Sequence, residues 1–409
     1  MLTFQQKLER YAELAVKVGV NLQPGQVLVV NAMIDSAELV RLVVRKAYEA
    51  GAKHVKVNYS DEQVNRLRFD LAPDEDFLTP PTYYAEEMTE LAGNGAAFMT
   101  ILSSNPDLLK GVQPERVSNF QRTFGAAMAT YRRYQQADKM SWTGLAFASP
   151  DWAAKVFPDE PQDQQVKLLW DAIFEAVRAD QEDPVAAWEQ HINKLQKKSD
   201  ELNRKKYHKL HFTAEGTDLV IELPPGHIWA QAGSLNEKGD RFVANIPTEE
   251  VFTAPLKTGV HGTVRSTKPL SYGGNIINNF SLTFEEGRIV HYTAEEGYDT
   301  LKRLIEMDEG SRYLGEVALV PFDSPISNSG ILYYTTLFDE NASCHLAIGS
   351  AYAFNLEGGK TMSPEELAEH GLNASITHVD FMMGSKDLSI TGITKEGLEE
   401  PIFINGNWA

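Results

Sequence analysis

Short apolar runs alternate with amphipathic stretches through the first half of the chain. Val27 to Val30 follows the Pro24-Gly25 turn as a run short enough for a buried strand. From about Ser36 the period lengthens, with Leu39, Val40, Leu42, Val43 and Val44 on one helical face, Ser36 as a start signal and Gly51 as a stop. A strand over His54 to Tyr59 closes a β-α-β unit, which crosses over right-handed. Further strands are predicted at Ala96 to Ser103 and Thr143 to Phe147, with a helical pattern from about Pro114 to Ala137 between them. This alternation predicts an α/β domain with an open, mostly parallel sheet, placed at residues 1–200. Neither a GxGxxG nor a GxxxxGK[ST] loop follows the first strand, which removes the nucleotide-binding reading.

Beyond a charged helical stretch ending in KLQKKSDELNRKKYHK, the texture changes to short alternating strands. KLHFTAEGTDLVIEL reads as a hairpin about Glu215-Gly216, and turn signals recur at Gly233, Gly239, Gly273-Gly274 and Gly287. A long helix is expected over Ala294 to Met307, and Ser363-Pro364-Glu365-Glu366 marks another helix start. Residues 201–409 are therefore expected to form an α+β domain with a largely antiparallel sheet.

Charge changes the picture next. A formal net charge of −19 argues against a nucleic-acid or anionic-membrane partner and favours divalent cations. Cys344 is the one cysteine, so no intramolecular disulfide is available, in keeping with a reducing compartment. The N-terminal stretch lacks the apolar core of a secretion signal, and no run of ~18 apolar residues offers a membrane span. A cytoplasmic location is expected.

Four segments of the C-terminal half share a pattern in which an acid or imidazole stands at the mouth of an apolar run. TEEVFTAP carries Glu249 and Glu250, GEVALVP carries Glu316, CHLAIGSAY carries His345, and HVDFMM carries His378 and Asp380. Charges beside core-forming residues must be paired, neutralised or metal-bound. In FDEN, Glu340 is a further donor with Asp339 as its rival, and both acids could face water on a turn. Taking Glu340 with one acid from TEEV, the set is oxygen-rich, with two imidazoles and no thiolate, since Cys344 alternates to the other face from His345. Such donors suit zinc, cobalt or manganese and outnumber the needs of one catalytic ion. Two ions ~3.5–4 Å apart could bridge and activate a water. His261, His291 and His370 lie outside these segments and are read as surface groups, while Arg265 and Lys386 are weaker candidates for substrate contact.

Together PTEEVFTAP, LTFEEGRIV, DEGSRYLGEVALVP, TLFDENASCHLAIGSAY and HVDFMMGS resemble the thermophilic-type metalloaminopeptidase family, the aminopeptidase S/T and PepS-like enzymes, across essentially the whole chain. The resemblance implies removal of N-terminal residues from peptides bearing a free N-terminus, a cocatalytic pair of divalent ions (Zn, Co or Mn) and a homodimer. It implies Glu250, Glu316, Glu340, His345, His378 and Asp380 as metal ligands, with Tyr352 assisting catalysis. Glu249 would then be a surface acid or a supporting group. The general base stays open between Glu316 and an uncoordinated acid such as Glu249. Rival readings are another dinuclear hydrolase, such as a phosphoesterase, and a non-catalytic metal-dependent scaffold.

Overall fold

A computed structural model describes residues 2–103 and 105–409. The chain divides into two compact units, Met1–Lys194 with Ala232–Thr248, and Leu195–Gln231 with Glu249–Ala409. The division falls inside the long Pro184–Lys205 helix.

In the first unit four strands form a parallel sheet, and Gly233–Leu235 pairs antiparallel with Arg241–Val243 apart from it. The parallel strands run in the spatial order His54–Ser60, Val27–Met33, Ala97–Leu102 and Trp142–Ala146. The inner strands read as nearly continuous apolar runs because helices cover the sheet. Val29 and Phe98 pack with Met88, Met128 and Met140 in one such layer. The helix over Ala37–Glu49 buries Leu39, Val40, Leu42 and Val43, and the chain leaves it at Gly51, whose φ of +93° suits glycine. Ser36 departs from its expected role, since its Oγ donates to the Met33 carbonyl and makes no side-chain cap. The segment Ala232–Thr248 joins this unit by backbone bonds on Gly144, which donates to Ala244 at 2.7 Å and accepts from Ile246 at 3.0 Å.

In the second unit the antiparallel sheet expected from short alternating strands is present. The hairpin Lys209–Ala214/Thr217–Glu222 turns at Glu215-Gly216 and belongs to a nine-stranded sheet among the described residues. Ser363 closes a capping box with Glu366 at the start of Pro364–Glu369. The helix expected over Ala294–Met307 is shorter. Residues to Glu296 continue the strand Arg288–Glu296 against Asn275–Glu285, and only Tyr298–Ile305 is helical. The break falls at Gly297, with φ +75°, where a Cβ would lie 2.3 Å from the Ile276 carbonyl oxygen. Strand pairing with the preceding arm of the hairpin has overridden a local helical period.

A second sheet of this unit carries the functional side chains. Its described strands run in the order His378–Met382, His345–Gly349, Leu314–Leu319, Val251–Thr253 and Ala230–Gln231, every neighbour antiparallel.

Candidate metal centre

Register decides which side chains meet. Glu316, Ala347 and Asp380 lie in one row across three adjacent strands, and His378 pairs with Gly349 in the neighbouring position. His345, Ala347 and Gly349 share a face of the central strand, by the two-residue alternation. Small residues thus stand between the acids and imidazoles on this face. A register shift between Leu314 and Glu316 re-aims Glu316. It brings the backbone so close that a Cβ at Gly315 would lie 2.3 Å from the Ser350 carbonyl oxygen and 2.4 Å from that of Gly349.

Two groups of donor atoms result, each lying within 4.8 Å of one another. Glu250, Glu316 and His345 form the first, and Glu316, His378 and Asp380 the second. Glu316 belongs to both. One of its oxygens lies 3.6 Å from His345 Nε2 and the other 3.6 Å from His378 Nε2. His345 Nε2 is also 2.9 Å from Glu250, and His378 Nε2 is 3.6 Å from Asp380.

Each imidazole is oriented from behind. His345 Nδ1 donates to the Ser343 carbonyl at 3.1 Å, and His378 Nδ1 donates to the Ser350 carbonyl at 2.7 Å. A carbonyl oxygen only accepts, so in each neutral ring the proton sits on Nδ1 and the Nε2 lone pair faces the carboxylates. That is how a protein prepares an imidazole to hold a metal. Despite its short approach to Glu250, His345 Nε2 is buried with no hydrogen-bond partner, and so is Asp380 Oδ1. Buried polar atoms left unpaired in the middle of an acidic cluster call for a cation, and the residues present fit one.

Electrostatics agree. Burial, with Asp380 and Glu250 adding to it, pushes the Glu316 carboxyl up to about 7 against the opposing pull of the imidazoles. Glu340 is held well above the usual carboxylate range by burial first, then by Asp380 and Glu250. Burial opposes charging of His345, yet Glu250 and Glu316 carry it well upward; His378 rises for the same reason through Asp380 and Glu316. Carboxylates this crowded hold protons when they hold no other cation.

Glu340 is not in either group of donor atoms, but neither of the acids in FDEN faces water. Glu340 is 6% exposed on a 3-10 turn, and Asp339 is 1% exposed. Asp339 turns to the backbone, accepting from the amides of Tyr333 at 2.9 Å and Thr335 at 3.1 Å. The groups take in Glu250 and not Glu249, which is buried at 7% exposure and is no surface acid. Tyr352 lies beside the cluster, its ring 4.8 Å from that of His378 and stacked on Phe354 at 5.0 Å. Burial, followed by the charges of Glu316 and Asp380, keeps its phenol protonated by raising its pKa. Cys344 is a core group, exchanging weak hydrogen bonds with the backbone of Val320. His261, His291 and His370 are exposed and take no part, and Arg265 lies 4.0 Å from Glu215. Asn341, which no motif singles out, lies beside the cluster: its amide nitrogen is 3.4 Å from Glu340.

The model of the thermophilic metalloprotease (M29) family matches residues 4–408. The chain belongs to that family. It is 61% identical over 409 residues to aminopeptidase AmpS of Bacillus subtilis, with all of both chains covered. Aminopeptidase T of Thermus thermophilus is 43% identical, again over the full length of both chains. The solved structure of wild-type AmpT from Thermus thermophilus superposes with a TM-score of 0.91 at 40% identity, covering 100% of each chain. The α/β and antiparallel architecture above is therefore the fold of AmpT, and the chain is a hydrolase of the M29 family. No helix among the described residues is long and apolar enough to cross a membrane.

Proposed function

We propose that this M29 metalloprotease is an aminopeptidase that releases N-terminal residues from peptides, using two divalent ions. The observation that carries the reading is Glu316, a buried carboxylate with one oxygen toward each of two imidazoles at 3.6 Å. Glu250 and His345 would complete one ion position and His378 and Asp380 the other, with Glu340 as a further acidic ligand. Four carboxylates and two neutral imidazoles carry the charge that two divalent cations neutralise. The full-length relatives named as aminopeptidases support the same reaction.

When bound, the ions supply Lewis-acid polarisation of the scissile carbonyl and activation of the attacking water. The protein's own groups do the rest. His345 and His378 keep their Nε2 lone pairs aimed by the carbonyls of Ser343 and Ser350. The protonated phenol of Tyr352 donates a hydrogen bond to the oxygen on which negative charge develops. A carboxylate of the cluster receives the free α-ammonium of the peptide, which confines cleavage to the first bond. Glu316, or an uncoordinated acid such as Glu249, manages the proton. We place the enzyme in the cytoplasm as a homodimer; a monomer mass in light scattering of the purified protein would contradict the dimer.

The deciding experiment offers matched peptides with free and acetylated N-termini, with chelator and then separate Zn, Co and Mn add-back. Release of amino acid from free-amine peptides alone, stopped by chelator and restored by metal, is expected. Failure to cut any peptide under any of these metals overturns the reading.

A further inference from the structure

We infer that Asn341, itself anchored on the backbone beside Glu250, is a positioning residue that sets the carboxylate of Glu340. This inference rests on the ligand reading above. Asn341 is fully buried, at 0% exposure, on the 3-10 turn Glu340–Ala342. Its Oδ1 accepts from the Glu249 backbone amide at 2.7 Å, one peptide before Glu250. Its Nδ2 donates to the Leu337 carbonyl at 3.0 Å and faces Glu340 Oε1 at 3.4 Å. The backbone carbonyl of the same residue accepts from Ser324 Oγ at 3.3 Å, so the turn is anchored on a further side.

One amide therefore ties together two acids that lie 90 positions apart in the sequence. The chemistry of the amide is specific to the task. Its oxygen is the only side-chain end able to accept from Glu249, and its nitrogen is the end able to donate to a carboxylate. An aspartate of the same shape keeps the first bond but turns a second carboxylate oxygen toward Glu340. A neutral donor beside a buried acid is replaced by a like charge, which moves the acid or fixes a proton between the two.

Partners of metal-binding side chains typically cost 10–100-fold in metal affinity when removed. Zn2+ is titrated calorimetrically into the metal-free full-length protein carrying Asn341→Asp, Glu340→Gln, or both. We expect Asn341→Asp to weaken Zn2+ binding by ~10–100-fold, in the range of such outer partners. In the Glu340→Gln background the same change should add little, because the group through which it acts is already neutral. A merely structural amide would give losses that simply add, or a lower melting temperature of the metal-free protein with unchanged Zn2+ affinity. Either result overturns the inference. Weakened binding in Glu340→Gln with unchanged binding in Asn341→Asp overturns this inference alone. Unchanged binding in Glu340→Gln instead removes Glu340 from the ligand set, and the inference falls with it. Asn341→Ser, which introduces no charge, is run through the same cycle as a second variant and is expected to give the same non-additivity.

Discussion

Replacing Glu316 by glutamine tests the centre at its shared member. The change preserves shape but removes the one carboxylate that faces both imidazoles, so it weakens both ion positions at once. In the metal-free protein the variant should be at least as stable as the parent. Glu316 is 4% exposed among Glu250, Glu340 and Asp380, and an uncharged amide relieves both its burial and its like-charge neighbours. With metal the order reverses. An ion held at ~100 times its Kd stabilises the folded state by ~2.7 kcal/mol, which for a unit of about 200 residues raises the melting temperature by ~5–11 °C. Partners behind metal ligands are worth 10–100-fold in affinity, so a residue facing the ions directly should cost at least ~100-fold. At the same metal concentration the variant then gains only ~0.4 kcal/mol, or ~1–2 °C. Calorimetric melting of both proteins, with chelator and with added Zn2+ or Co2+, measures the difference without relying on turnover. An equal metal-induced gain in the two proteins would show that Glu316 contacts no ion and refute the arrangement proposed here.

Tyr352→Phe removes a donor without touching the acids, so kcat on a free-amine peptide should fall by ~10²–10³-fold while the calorimetric Zn2+ affinity stays within twofold. A loss of metal affinity instead of rate would make Tyr352 a packing residue. Burial pushes the Cys344 thiol up to about 12, so below that pH the group stays protonated in the fold. A thiol reagent at pH 8 should label the native chain negligibly and the denatured chain stoichiometrically, and fast labelling of the native protein would contradict the buried setting at 1% exposure.

Most of the scaffold was legible because it is written locally. Continuous apolar runs mark the parallel strands, Glu215-Gly216 marks a hairpin, and Ser363 to Glu366 marks a capping box, each a signal spanning a few residues. The segments that meet in the acidic cluster were legible for a related reason, since charges do not sit at the mouths of core strands without cause. What escaped was whatever depends on partners outside the segment itself. The strand continuing to Glu296 has a helical period and becomes β only because Asn275–Glu285 lies alongside it. Likewise, Ala232–Thr248 belongs with the first unit through bonds to Gly144, some 100 residues earlier. Within the site the same limit separates residue type from aim. A sequence can nominate Glu249 or Glu250 and Asp339 or Glu340, but alternation alone cannot choose between neighbours when one strand begins late and the other acid sits on a 3-10 turn. The choice is made by contacts: Asp339 is drawn to the amides of Tyr333 and Thr335, leaving Glu340 to the cluster. Asn341 could not have been nominated at all. An asparagine after two acids reads as a turn residue, and its value arises from the Glu249 amide that folding delivers to it.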